Sequence, residues 1–287
     1  MYTSKIFKPF SLILFSMQSI ITMLVYSSVV ISLYVFLDFE WLKLPWVPVS
    51  LIGIAVSFYV GFKNNSSYDR TWEARKIWGG IVNSSRSWGL MVNGFVTDEF
   101  TEGNITDEKI NEVRKRLIYR QIAWLYRLKR QLRVLKPWEH NASVNQHYRA
   151  LIAKQFPVDE PDVELQKFLE NKEVQQILNA ANGCTHLLHL QTEDLRELKK
   201  QGLVDDFRHM EMQKMLSEFF TLQGKCERIK NFPLPRQYAS LSIYFIYIFI
   251  TLLPLGLLSA FTGPSMENYM VWAVIPSTVL VGWVFWM

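Results

Sequence analysis

Two rows of residues in one apolar stretch carry the most specific chemistry in this chain. Gly53, Ser57 and Gly61 recur every four residues, and Ile54, Phe58 and Phe62 recur beside them with the same period. On a helix each row runs along one side. Small residues at that spacing let helices approach closely in lipid. The bulky row has two readings. One is lipid-facing or core packing. The other is a constriction, in which rings of apolar side chains line a pore and control its wetting. A single helix cannot surround a pore, so the second reading requires several copies of the chain.

The stretch runs straight into NNSSYDRTWEARKIWG, Asn64 to Gly79, where Asp69, Arg70, Glu73 and Arg75 gather around Tyr68, Trp72 and Trp78. Charged groups where a membrane meets water pair with one another or snorkel. The cluster therefore reads either as ion pairs packed among aromatics or as a set of ion contacts. Further along, His186 and His189 stand one helical turn apart, with Glu193 and Asp194 one or two turns beyond. That is a weak metal pattern, because the spacing fixes no third strong ligand. Asp159-Glu160-Pro161-Asp162 lacks the alternating ligands and the glycine of a calcium loop. No phosphate-binding loop, dinucleotide fingerprint, nucleophile elbow or HExxH occurs. The motifs call for no enzyme activity, metal or cofactor.

Lys109 to Lys136 holds ten Lys and Arg against one acid, Glu112. In a soluble domain this would suggest nucleic acid. Beside membrane spans no nucleic-acid partner is expected, and three readings remain: a solvated basic face, contact with anionic lipid, or an electropositive vestibule.

The elements that position these groups follow from where charge is absent. The mean hydropathy of +0.06 is unremarkable, but 28 of the 31 Lys and Arg lie between Lys63 and Arg236. A chain sorted this way is solvated by lipid at its ends and by water in its middle. Leu12 to Leu37 is uncharged, about 39 Å of helix at ~1.5 Å per residue, enough for a core of about 30 Å. It is too long for the apolar part of a cleavable signal peptide. Val47 to Phe62, Tyr238 to Phe261, and Tyr269 onward give three more spans. The last is still apolar at Met287, so a C-terminal tail is expected beyond it.

Four spans put both termini and the middle on one side. Lys5, Lys8, Lys63, Arg70, Arg75, Lys76, Lys225, Arg228, Lys230 and Arg236 flank the spans on that side, against Lys43 on the other. The positive-inside rule makes that side cytosolic. The expected organisation is residues 1–63 as spans one and two, 64–237 as a cytosolic helical domain, and 238–287 as spans three and four. Ile110, Val113, Leu117, Ile122, Leu125, Leu128, Leu132 and Leu135 recur at a helical period. Thr106 caps that helix and Pro137 stops it. Further helices are expected over 66–97, 163–181, 184–200 and 204–230, with Gly183 and Gly202 as breaks and His140 to Pro161 as a loop. Cys184 and Cys226 in a cytosolic domain should be free thiols.

SFYVGFKNNSSYDRTWEARKIWGGIVNSSRSWG, Ser57 to Gly89, and GKCERIKNFPLPRQYASL, Gly224 to Leu241, resemble the two signature regions of the bacterial bestrophin family. The four spans, the helical middle and the Pro-x-Pro approach to span three fit as well; residues 98–165 carry no recognisable part. The resemblance implies an all-α homopentamer in the bacterial inner membrane, with a central pore and lipid around it. It places Ile54, Phe58 and Phe62 as a hydrophobic neck and Met210 as a second constriction at the cytosolic exit. Eukaryotic members are calcium-activated chloride channels whose calcium clasp draws on acids after span four, beyond this sequence. Bacterial members pass monovalent cations such as sodium, so cation conduction is expected. An anion-selective channel of the same fold, a membrane scaffold that does not conduct, and a membrane-bound enzyme acting on a lipid or quinone are the alternatives.

Overall fold

The computed structural model describes residues 9–101, 103, 105–134, 136, 150, 161–232, 236–263 and 267–286. Lys5, Lys8, Leu135, Pro137, Asp159, Glu160, most of His140 to Pro161, the Pro233-Leu234-Pro235 breaker and Met287 lie outside the described residues. In chain order the helices are α1 (Pro9–Leu37), α2 (Trp46–Phe95), α3 (Asp107–Arg133), α4 (Pro161–Gln166), α5 (Asn171–Asn179), α6 (Gly183–Lys200), α7 (Asp206–Asn231), α8 (Arg236–Phe261) and α9 (Val274–Trp286). Short 3-10 turns occupy Glu40–Leu42 and Asn268–Ala273. Among the described residues there is no strand. Stretches of α1, α2 and α8, and α9 with the turn before it, are long and apolar enough to cross a membrane.

The chain divides into two compact units. The first comprises Met1–Asp69 and Pro233–Met287. Its core is Val30, Ile31, Val49, Val56, Phe249, Leu253, Leu258 and Val274. α1 and α9 lie against each other so closely that a Cβ on Gly282 would stand 2.5 Å from Met23 Sδ. Polar groups in lipid need partners inside the protein. Trp283 Nε1 donates to Ser16 Oγ at 2.7 Å, and Tyr26 Oη donates to the Thr251 carbonyl at 2.8 Å, tying α1 to α9 and to α8. α1 stops where Asp38 takes a left-handed φ of 49°.

The second unit is Arg70–Phe232, around a core in which Trp88, Trp124 and Phe219 are fully buried. Phe219 meets the two indoles at ring-centre distances of 6.3 and 5.2 Å. A polar network threads this core. Trp124 Nε1 donates to Gln223 Oε1 at 3.1 Å, and Gln223 Nε2 donates to Thr185 Oγ1 and to Glu227 Oε1. Glu227 Oε1 also accepts from Asn182 and Gln131. Asn182 Oδ1 caps α6 by accepting from the Cys184 and Thr185 N–H groups. Trp124, Gln223, Glu227 and Asn182 thus all find partners in this network, which a low-dielectric interior favours.

Several boundaries differ from the pattern-based expectation. α2 is one unbroken helix, not a span followed by a separate helix over 66–97, because no proline or positive φ interrupts it between Phe62 and the following charges. The stretch 163–181 is two short helices. The Leu165 carbonyl accepts from both Phe168 and Leu169 N–H, and Phe168 turns its ring to Tyr119 and Tyr126. Gly183 is the first residue of α6 and no break. A Cβ there would lie 2.8 Å from the Ile177 carbonyl oxygen, so close approach to the backbone requires the glycine. Gly202 does end α6, at φ 72°, with its own N–H and that of Leu203 closing back onto Lys199 and Leu198. Thr106 occupies the cap position of α3 but uses only its carbonyl.

Cys184 and Cys226 are free and buried. Burial pushes the Cys184 thiol up to about 12, with Glu227 adding and Arg127 opposing. Burial and Glu227 push Cys226 up to about 11. Both stay protonated at neutral pH, and only the thiolate is nucleophilic. The expected outcome with a thiol-reactive chromogenic disulfide at pH 8 is no labelling of the folded protein and two equivalents after denaturation.

Candidate functional site

The bulky row of α2 is open in a single chain. Ile54, Phe58 and Phe62 are 56%, 65% and 66% exposed, while Val49 and Val56 on the other side are buried. That buried side faces α8. A Cβ on Gly53 would lie 2.7 Å from the Phe249 ring, and a Cβ on Gly256 would lie 3.0 Å from Val49. Tyr59 packs edge-on against Phe245 at 5.2 Å. Only 17% of the apolar stretch of α2 is buried within the chain, against 44% of that of α8. The corresponding stretches of α1 and of α9 with its turn are each 22% buried, so α2 leaves at least as much surface open within the single chain as any other span.

The small row is divided between two surroundings. Gly53 meets Phe249, whereas Ser57 is exposed, its hydroxyl donating to the Gly53 carbonyl at 2.8 Å, and Gly61 has open space where a Cβ would stand. Helical geometry gives the reason. Four residues advance about 400°, so a four-residue row drifts about 40° per step and leaves the α8 side within two steps.

Two charges of the cluster after Phe62 reach partners outside it. Arg70 donates to the carbonyls of Ile229 and Phe232 and so caps the end of α7. Glu73 pairs with Arg228. A cation at a helix C-terminus satisfies carbonyls that lack an intrahelical partner. The carboxylate of Asp69 is exposed and has no ion pair or hydrogen bond among the described residues.

The basic helix α3 commits four of its cations to partners in the fold. Arg120 is buried against Asp194 and Glu173, and Arg116 also reaches Asp194. Arg114 donates to the Val96 carbonyl at 2.8 Å, capping α2, and Lys129 pairs with Glu164. A field neutralised at this range does little beyond a Debye length, so Arg116, Arg120 and Lys129 add little to the electropositive-vestibule reading. Asp194 is committed to arginines, and the His186 and His189 rings stand 6.2 Å apart with His189 near Glu193. Among the described residues no three His, Cys, Asp or Glu gather as metal ligands would.

Both the sequence and the helical fold have counterparts among known proteins. The sequence model of the Bacterial/Fungal Bestrophin protein family matches residues 8–286. The chain belongs to the bacterial/fungal bestrophin family. Among its bestrophin relatives is a voltage-dependent anion channel-forming protein of Mesorhizobium japonicum, 26% identical, over 91% of this chain and 70% of that one. Another of the same description, from Ralstonia nicotianae, is 26% identical over 76% of this chain and 60% of its own length. The crystal structure of a bacterial bestrophin homolog from Klebsiella pneumoniae superposes with a TM-score of 0.74 at 23% identity, covering 93% of this chain and 83% of that one. That last likeness is one of fold, and the fold is the bestrophin channel fold.

In this bestrophin Met210 lies exposed near the start of α7, three residues after Phe207, which is 84% exposed. The two residues stand one helical turn apart, both exposed within the single chain. They lie off the buried row of that helix, Met212, Leu216, Phe219 and Leu222.

Proposed function

We propose that this chain forms a homo-oligomeric channel, five copies on the family's pattern, in which α2 of each copy lines a neck of Ile54, Phe58 and Phe62. Small monovalent ions cross it passively in the inner membrane, with the Arg70–Phe232 unit in the cytosol and Met210, flanked by Phe207, at the exit. The observation that carries the reading is the exposed row on the least buried span. Ser57 and Gly61 then give a neighbouring copy room to approach. Phe207, Met210, Phe220 and Leu90 stand exposed in the unit assigned to water, where apolar surface of that kind calls for a partner.

The test is single-channel recording of purified protein in a planar bilayer under a KCl gradient, with its oligomeric state measured in parallel. Discrete conductance from an oligomer is the expected result; silence from an intact oligomer supports a membrane scaffold. Chloride conduction is the second reading, favoured by the names of the relatives. The third, an enzyme built on the histidine pair, has its own test. Replacing His186 and His189 with Ala, or adding a chelator, should leave ion flux into liposomes unchanged.

A further inference from the structure

We propose that Asp69 sets the charge preference of the pore, as a ring of carboxylates at the cytosolic mouth of the neck that favours cations over anions. The proposal rests on the assembled-pore reading of α2 given above.

α2 is continuous from Trp46 to Phe95, so register places its residues around one axis. Asp69 follows Phe62 by seven residues and Phe58 by eleven. At about 100° per residue these separations bring it within about 20° of both, and ~10 Å beyond Phe62 along the helix. The opposite side is the one that packs, through Val49, Val56 and Gly53. Asp69 is exposed, and no cation among the described residues neutralises it.

The neighbouring charges are disposed elsewhere. Lys63 and Arg70 are rotated roughly 80–100° from Phe62. Arg70 is also committed to the Ile229 and Phe232 carbonyls, and Glu73 to Arg228. Lys76 returns to the side of Phe58, but ~21 Å beyond Phe62. With a screening length of about 8 Å at physiological ionic strength, the nearer carboxylate dominates at the neck and the lysine weakly opposes it. Apolar rings select for wetting and carry no sign of charge, so the first charged ring beside them decides it; acidic rings favour cations.

The experiment is the reversal potential of single channels in a planar bilayer under a KCl gradient, for wild type, Asp69→Asn, Asp69→Glu and Phe58→Ala, each verified as the wild-type oligomer. Wild type should reverse on the potassium side. Asp69→Asn should lower the potassium-to-chloride permeability ratio by about tenfold, the scale of several unit charges acting ~10 Å away in water. Asp69→Glu should restore the wild-type ratio. A wild type that reverses at the chloride potential overturns the proposal, and so does Asp69→Asn with an unchanged ratio. If Phe58→Ala alters conductance while Asp69→Asn does nothing, the assignment of Asp69 alone falls. If neither does anything, the neck on α2 falls and takes Asp69 with it.

Discussion

Phe58→Ala should raise single-channel conductance and leave the chain folded. The two halves of this expectation come from one fact, the 65% exposure of the ring within its own chain. A phenylalanine packed in a core would lose roughly 3–5 kcal/mol on truncation, through lost transfer energy and the cavity left behind. At Phe58 no protomer core closes over the ring, so the unfolding free energy should change by about 0.5 kcal/mol or less. In the proposed assembly every copy loses its ring at once and the constriction widens and wets more readily. Ile54→Ala and Phe62→Ala should act in the same direction. Thermal unfolding in detergent and bilayer recording together check it. A folded oligomer whose conductance is unchanged argues that the row faces lipid.

Arg120→Met should do the reverse, costing about 3 kcal/mol of stability while leaving the conductance of surviving channels alone. Arg120 is 4% exposed and stands between Asp194 and Glu173, with the Leu190 carbonyl 3.3 Å away. Removing the cation strands two part-buried carboxylates, and breaking a buried pair on one side costs about 3–5 kcal/mol. The lower end applies because Arg116 still reaches Asp194. The control is Arg196→Ala, whose exposed pair with Glu193 is a one-turn surface contact worth at most about 0.5 kcal/mol. Denaturant unfolding of the two variants side by side decides the matter. Equal losses would mean that burying Arg120 costs as much as its pairs return.

The spans were legible because lipid imposes a simple composition rule that local sequence obeys. The bulky row was legible for a related reason: Ile54, Phe58 and Phe62 repeat at a helical period, and nothing but side-chain size distinguishes them from their neighbours. Partners were not legible. Composition cannot say that Arg120 turns into a core or that Arg70 reaches across 159 residues of sequence to the Ile229 carbonyl. Such contacts are tertiary, and a charge count treats a buried arginine and a solvated one alike. The split between α4 and α5 escaped for a similar reason: Phe168 leaves the helical path to meet Tyr119 and Tyr126, far along the chain. Asp69 was visible as a charge in a cluster. Only the unbroken course of α2 shows which of those charges shares a side with Phe58.

That unbroken course also removes slack. Loops absorb inserted or deleted residues; a helix turns each one into a rotation. One residue added between Phe62 and Asp69 would carry everything after it about 1.5 Å onward and about 100° around. Asp69 would leave the side of Phe58 and with it the mouth of the proposed neck. The chain length between Phe62 and Asp69 should therefore be far less free to drift than that of the connections between α3 and α6.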